Sequence, residues 1–185
     1  MKQILVSGAI GFLGYHAVRL LNERGQRPRV MLSEAERAPS KGLDALRKLD
    51  IDEVSASVGD PASLAAACDG IDTVLHLEFA LKLSSGPEVE QQMRQVNVIG
   101  SRNLLDAATT ARVARVVMSS SSLAVGLARE AKPIDEHAPW EVTGLELPYA
   151  HSRREAELEA LARPSGPGLP VIVTVNPTFT LGPHD

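Results

Sequence analysis

The sequence is poor in aromatic side chains, with three Phe, two Tyr and one Trp among 185 residues. So few rings give no stacking platform for bases or sugars. A single cysteine, Cys68, excludes an intramolecular disulfide framework and a multi-thiolate metal site within one chain. No apolar run approaches the ~20 residues that cross a bilayer. The apolar stretch after Met1-Lys2 is punctuated by Gly8, Gly11 and Gly14, and no small-residue cleavage site follows it. Basic residues are not in excess: 19 Lys and Arg stand against 23 Asp and Glu, a net charge of −4. That balance argues against nucleic acid and against an anionic membrane as partners. The expected setting is the cytoplasm. What is present is an ordinary globular composition, 44% hydrophobic and 23% charged, in a length that suits one domain with a substantial core.

Short β-branched runs alternate with longer helical patterns, without internal repeats. Strands are expected at Gln3–Ser7, Arg29–Leu32, Glu53–Val58, Asp72–Leu77, Arg115–Ser119 and Val171–Val175. Leu13, Ala17, Leu20 and Leu21 form the apolar stripe of a first helix, closed by Gly25. Asp60 and Pro61 read as the cap and first turn of a helix running to about Cys68. The longest helix is expected over Glu88 to Thr110, with Val89, Met93, Val96, Gly100 and Leu104 on its core stripe. A Pro-rich loop from Lys132 to Pro148 precedes a last helix beginning near Tyr149. Strands separated by helices imply βαβ crossovers and a parallel sheet covered on both faces. The fold class is therefore α/β, a Rossmann-type doubly wound parallel sheet with strand order 3-2-1-4-5-6.

Gly8-Ala9-Ile10-Gly11-Phe12-Leu13-Gly14 joins the first strand to the first helix with G-x-x-G-x-x-G spacing. Glycine permits the tight turn, the close approach of backbone to a pyrophosphate, and tight helix–strand packing. The helix N-terminus adds free N–H groups and a positive dipole end.

With Ser7 before it, this turn resembles the opening of extended short-chain dehydrogenases/reductases, the NAD-dependent epimerase/dehydratase family. Further segments match in order: Asp72 to Leu77, Asn97 to Ala108, Val116 to Ser121, Pro133 to Glu136, and Asn176 to Pro183. The last is most similar to the dihydroflavonol-reductase-like branch. The resemblance covers essentially residues 1–185, as an NAD(P)-binding Rossmann domain. Relatives continue past the Gly182-Pro183 pair into a smaller C-terminal region that supplies most substrate contacts. Here that region is not present, so either the chain is truncated or the natural protein lacks or borrows a substrate lid.

The resemblance implies hydride transfer between a nicotinamide cofactor and a small carbonyl, alcohol or sugar-nucleotide substrate. It assigns Ser121 to hold the substrate oxygen, Tyr149 as general acid/base, and the position of Arg153 to the residue that lowers the tyrosine pKa and binds the nicotinamide ribose. Tyr149 and Arg153 are four apart and share a helix face. Cofactor contacts are expected from the turn (Gly8, Gly11, Phe12, Leu13 and Gly14) and from the ends of later strands (Leu77, Glu78, Ser119). Further contacts are expected from Asn97 on the long helix, from Tyr149 and Arg153, and from Pro177 and Thr178. The positions that select NAD or NADP fall at Leu32 and Ser33, with neither the acid nor the Arg signature. Ser33 and Arg37 favour NADP slightly, by donating to a 2′-phosphate. Asp60 is expected to face the adenine, cap its helix, or do both.

Arg153 stands where the family carries Lys, and a planar, permanently charged guanidinium is no conservative substitute. Glu78-Phe79 replaces small residues in a turn that faces the cofactor. Glu78 has three options: to repel a phosphate, to pair with Arg153, or to turn outward. These departures leave two alternatives open: a non-catalytic NAD(P)-binding sensor or interaction module, and a fragment of an ordinary enzyme of the family. His76 is read as a structural histidine. His16, His137, His151 and His184 have no ligand spacing, so no metal is expected. Cys68 is read as a buried small hydrophobe. Trp140 either covers a substrate or fills the core. A homodimer through the helices at 88–110 and 149–163 is implied by the resemblance.

Overall fold

The protein is described by a computed structural model covering residues 2–82, 84, 86–128, 133–140, 142 and 147–183. Within the Pro-rich loop, Lys132 and residues 141 and 143–146 lie outside the described residues, as does His184. The strands are β1 (Ile4–Ser7), β2 (Arg29–Leu32), β3 (Asp52–Ser55), β4 (Thr73–His76), β5 (Arg115–Ser119) and β6 (Val171–Val175). All pair in parallel in the order β3-β2-β1-β4-β5-β6, as the alternating pattern required. Successive strand residues face opposite sides. Leu5 joins Met31, Val74, Val116 and Met118 in one core cluster, while Val6 joins Val30 and Leu32 in the other.

The helices are α1 (Phe12–Glu23), α2 (Lys41–Leu46), α3 (Pro61–Cys68), α4 (Pro87–Arg94), α5 (Ser101–Thr110), α6 (Ser122–Val125) and α7 (Pro148–Leu161). Leu64 of α3, Leu104 and Leu105 of α5 and Ala160 of α7 fill the first cluster. Val18 of α1 and Leu43 and Leu46 of α2 fill the second. Asp60 caps α3 as expected, its Oδ1 accepting from the Ala62 N–H at 3.1 Å. Two short helices were not expected, α2 and α6. Each starts at a serine whose Oγ accepts a backbone N–H at 3.2 Å: Ser40 from Leu43, and Ser121 from Leu123. Strand β3 ends at Ser55 rather than Val58. Cys68 is buried, and burial pushes its thiol up to about 11. No helix among the described residues is long and apolar enough to cross a membrane.

The long helix departs from its expected regularity. Between α4 and α5, Gln95–Gly100 is a π-helical segment. Side chains that bond into the backbone ladder are a recognised cause of such interruptions, and Ser101 does so here. Ser101 Oγ donates to the Asn97 carbonyl at 2.7 Å. Asn97 is fully buried, accepts the Ala80 N–H at 2.7 Å, and donates to the Ala80 carbonyl at 3.0 Å and to Ser152 Oγ at 2.9 Å.

These bonds belong to one buried chain that runs from β1 to α7. The β1–β4 register sets Ser7 opposite His76, with Ser7 Oγ 2.7 Å from His76 Nδ1 and Ser101 Oγ 2.8 Å from His76 Nε2. Ser101 spends its only hydrogen on Asn97, so it accepts from Nε2–H, and Nδ1 accepts from Ser7. At the other end Ser152 Oγ donates to the Tyr149 carbonyl at 2.9 Å. His76 is structural, as expected. Burial first, and the Arg153 charge second, hold its pKa down at about 3. Replacing Asn97 with Ala should cost about 2–4 kcal/mol, because Ala80 and Ser152 lose buried partners. Asn97→Asp should also destabilise, since a carboxylate cannot donate to Ala80 and Ser152. Urea denaturation checks both, and a loss under about 1 kcal/mol for Asn97→Ala would contradict this account.

Candidate functional site

The C-terminal ends of β1, β4 and β5 open into a cleft of about 850 Å³, within the size range of small-molecule sites. Its floor is the β1–α1 turn. Gly8 has a positive φ of 68°, and a Cβ there would lie 2.7 Å from both the N and the Cα of Glu78. A Cβ on Gly14 would stand 2.0 Å from the Gly8 carbonyl oxygen. No other residue fits at either place. Gly11 precedes α1 without a side-chain cap, and the first turn carries no acidic residue. The helix N-terminus therefore keeps its free N–H groups and positive dipole end for an anion.

Two carboxylates border this floor. Glu36, in the loop after β2, lines the cleft, and its Oε2 accepts the Ser33 N–H at 2.8 Å and the Ser33 hydroxyl at 2.7 Å. Glu78, just past β4, also lines the cleft, but its Oε2 is buried and has no hydrogen-bond partner. Burial, aided by the charge of Glu36, pushes the Glu78 carboxyl up to about 7.

On the opposite wall stand Ser120, Ser121, Ser122 and Tyr149. Ser121 Oγ uses a lone pair on the Leu123 N–H, so its hydrogen remains available to a ligand. Asn176 steadies this corner, donating to the Ser121 carbonyl at 3.1 Å and to the buried Glu157 carboxylate at 2.7 Å. Arg153 lies one turn beyond Tyr149 but does not reach the cleft surface. It is fully buried, its Nη2 donates to the Ser119 carbonyl, and the Phe79 ring covers it at 5.4 Å from Cζ to centroid. Phe79 itself stacks at an angle against Tyr149, ring centres 6.1 Å apart. Arg153 Nε and Nη1 have no partners. Burial lowers the Arg153 pKa, opposed by Tyr149 and Glu157.

The structure brings together at the cleft Gly8, Gly11, Phe12, Leu13, Gly14, Leu77, Glu78, Ser121, Tyr149, Pro177 and Thr178. Other expected contacts do not line the cleft. Asn97 spends its amide on Ala80 and Ser152, and holds the turn behind the cleft. Ser33 faces Glu36, and Arg37 reaches Glu53 at 3.3 Å rather than the cleft. Asp60 serves as the α3 cap and does not line the cleft. Ser119 and Arg153 lie behind Phe79. Glu78 neither pairs with Arg153 nor turns outward. Trp140 fills space beside α7, donating to the Leu123 carbonyl at 3.1 Å with its ring against His151. Sequence reasoning placed Phe79 in the turn facing the cofactor, and missed Glu36, Ser120, Phe179 and Thr180. For Glu36 the available signal was an acid four residues past β2. Among the described residues, no group of three or more His, Cys, Asp or Glu side chains gathers as for a metal ion.

Strand order, glycine turn and the facing Ser121–Tyr149 pair define a dinucleotide-type α/β fold of the extended short-chain dehydrogenase/reductase kind. Residues 5–164 match the 3-beta hydroxysteroid dehydrogenase/isomerase family, and the chain belongs to it. It is 32% identical over 185 residues to sterol demethylase protein B of Methylococcus capsulatus, covering 98% of this chain and 52% of that protein. It is 33% identical over 181 residues to a Synechocystis sp. protein named after dihydroflavonol 4-reductase, covering 97% of this chain and 50% of that one. UDP-glucose 4-epimerase from Brucella ovis, solved in complex with NAD, superposes with a TM-score of 0.76 at 25% identity, over 94% of this chain and 51% of that one. The chain spans about half the length of the known relatives it matches.

The raised Glu78 value makes stability depend on pH. Its folded pKa of about 7 exceeds the ordinary 4.5, so the folded state binds the proton more tightly. The resulting stability is full below about pH 4.5 and is lost as pH rises through about 7. Glu78→Gln should therefore gain on the native protein as pH rises, by roughly 1–3 kcal/mol at about pH 8. Thermal denaturation at several pH values tests this, and a constant difference between the two proteins would refute it.

Proposed function

We propose that residues 1–185 are the dinucleotide-binding portion of an NAD-dependent oxidoreductase or epimerase acting on a small carbonyl, alcohol or sugar-nucleotide substrate. One observation carries the reading. Of the five buried side-chain atoms without hydrogen-bond partners among the described residues, two, Glu78 Oε2 and Ser120 Oγ, belong to residues that line one cleft floored by the Gly8–Gly14 turn. Buried polar atoms are costly without partners, so their gathering here supports a polar ligand. The glycine turn and the uncapped α1 N-terminus fit a diphosphate. Glu36 fits a ribose diol, whose hydroxyls donate to a carboxylate, and opposes a 2′-phosphate. With Ser33 and Arg37 engaged elsewhere, the reasons for preferring NADP fall away. The NAD in the Brucella ovis epimerase supports the same choice.

The chemistry a bound nicotinamide supplies is hydride exchange at a substrate carbon. Tyr149 gives or takes the proton at the substrate oxygen through its Oη, and Ser121 donates its free hydrogen to that oxygen. Arg153 acts only through the field it sets up behind Phe79, since its guanidinium does not reach the cleft surface. Leu158 and Leu161, exposed on α7, support the homodimer through the helices at 88–110 and 149–163.

Titration of the chain should show NAD binding at least about tenfold tighter than NADP, and Glu36→Gln should narrow that gap. Tighter NADP binding would overturn the choice of cofactor. In the full-length gene product, Tyr149→Phe should reduce turnover about a hundredfold or more, and Arg153→Lys should raise it. Native activity that Tyr149→Phe leaves intact would remove Tyr149 from its role.

A further inference from the structure

We propose that Glu78 holds the diphosphate of a bound dinucleotide as a neutral carboxylic acid, so that ligand binding at this cleft takes up a proton. The inference rests on the dinucleotide reading above and adds a residue and a proton to it.

The first observation is position. The N and Cα of Glu78 are the atoms that a Cβ on Gly8 would meet at 2.7 Å. The Glu78 backbone thus abuts the glycine turn, and Glu78 lines the same cleft as Gly11, Phe12, Leu13 and Gly14. The second is partnership, since Oε2 is buried in a cleft-lining residue with no hydrogen bond. The third is charge. Glu36 borders the same cleft, its Oε2 taken by two Ser33 donors, and its charge opposes ionisation of Glu78.

Chemistry then decides which protonation state can bind. A diphosphate offers only acceptor oxygens, and an ionised carboxylate is also acceptor-only. Two carboxylates and a diphosphate in one partly dry cleft repel one another unless one group neutralises. Glu36 Oε2 already accepts from two donors. Glu78 has none, so Glu78 is the group that takes the proton, and its O–H then has an acceptor to meet.

The groups around Glu78 do not alter this outcome. Among the described residues, the titratable side chains lining the cleft are Glu36, Glu78 and Tyr149, and no cation lines it. The β1–α1 turn brings no titratable group, and the segment after β5 brings serines. From α7 comes Tyr149, with Arg153 screened behind Phe79, and from β4 comes His76, held neutral. Burial and the Glu36 charge already raise the Glu78 carboxyl to about 7, so the proton is taken up near neutral pH.

The test is calorimetric titration of the chain with NAD in two buffers of different ionisation enthalpy, from about pH 6 to about pH 8.5. The expected result is proton uptake on binding and an affinity that weakens ~10–30-fold across that range. Glu78→Gln keeps a donor without a charge, so it should bind NAD with no linked proton and a flat profile, and tighter than the native chain at the alkaline end. Proton release, which would mean an ionised Glu78 accepting from a ribose or amino group, overturns the proposal. So does binding without a linked proton, or a Glu78→Gln profile that follows the native one. A ¹³C titration of the Glu78 carboxyl in the chain alone gives a second readout: a midpoint near neutrality is expected, and one in the ordinary carboxylate range overturns the proposal. Failure to bind NAD or NADP at any pH would instead sink the dinucleotide reading itself, and this inference with it.

Discussion

The buried hydrogen-bond chain Ser7–His76–Ser101–Asn97–Ser152–Tyr149 is the constraint on which the rest of the site depends. It starts at the last residue of β1, crosses to the end of β4, enters the π-helical segment and finishes at the first turn of α7. Ser7 donates, and Ser101 and Ser152 each accept once and donate once, so the chain has a single polarity and no member can reverse alone. Its Asn97 branch to Ala80 pins the turn that carries Glu78 and Phe79. Its Ser152 end fixes the backbone of Tyr149. A protonated His76 would turn Nδ1 into a donor facing Ser7 and break the polarity. Burial, and the cation of Arg153 nearby, keep the imidazole neutral, so the framework does not titrate in the range where Glu78 does.

Arg153 shows the cost of putting a guanidinium where a slimmer side chain is usual in the family. It carries more donors than its surroundings can satisfy: one goes to the Ser119 carbonyl, and Nε and Nη1 meet nothing. Phe79 supplies a π face that offsets part of the desolvation, and Glu157 contributes favourable charge. The same ring that stabilises the guanidinium also separates it from the cleft. The family's two departures, Glu78 and Arg153, therefore do not compensate each other across space. Phe79 lies between them in sequence and in effect, leaving the acid in the cleft and the base outside it.

The sheet was legible because β2, β5 and β6 are compact apolar runs with sharp polar ends, and their bounds agree with the structure to the residue. The glycine turn was legible because its function resides in the backbone, and the absence of a side chain is visible in a sequence. The π-helical segment was not, since Asn97 within it and Ser101 just after it sit beside an otherwise regular apolar stripe. Period alone does not reveal a side chain that bonds inward. Asn97 was for that reason assigned to the cofactor rather than to the turn at Ala80. α2 and α6 are too short for a periodic signal, though Ser40 and Ser121 mark their starts. Glu36 was missed because no periodicity governs which way a loop side chain points. The hydrogen bonds to Ser33 orient it, and only coordinates show them.

The surface repeats the asymmetry of the interior. On the side of α4, α5 and α7, charged residues find partners within the chain: Arg94 with Glu155, Arg102 with Glu159, and Arg163 with Asp106. Along β6, an edge strand, Val171, Val173 and Val175 present an exposed apolar row, and Phe179 and Leu181 follow it at 88% and 72% exposure. Covering side chains of this size is worth about 1.5–3 kcal/mol each, stabilisation the described chain does not gain. The uncovered apolar row leads into Pro177–Thr180, which is one wall of the cleft whose buried polar atoms lack partners. Two kinds of unsatisfied surface, apolar and polar, thus converge on a single segment. A fold that leaves both open at the same place is shaped there by what it must contact, not by its own packing.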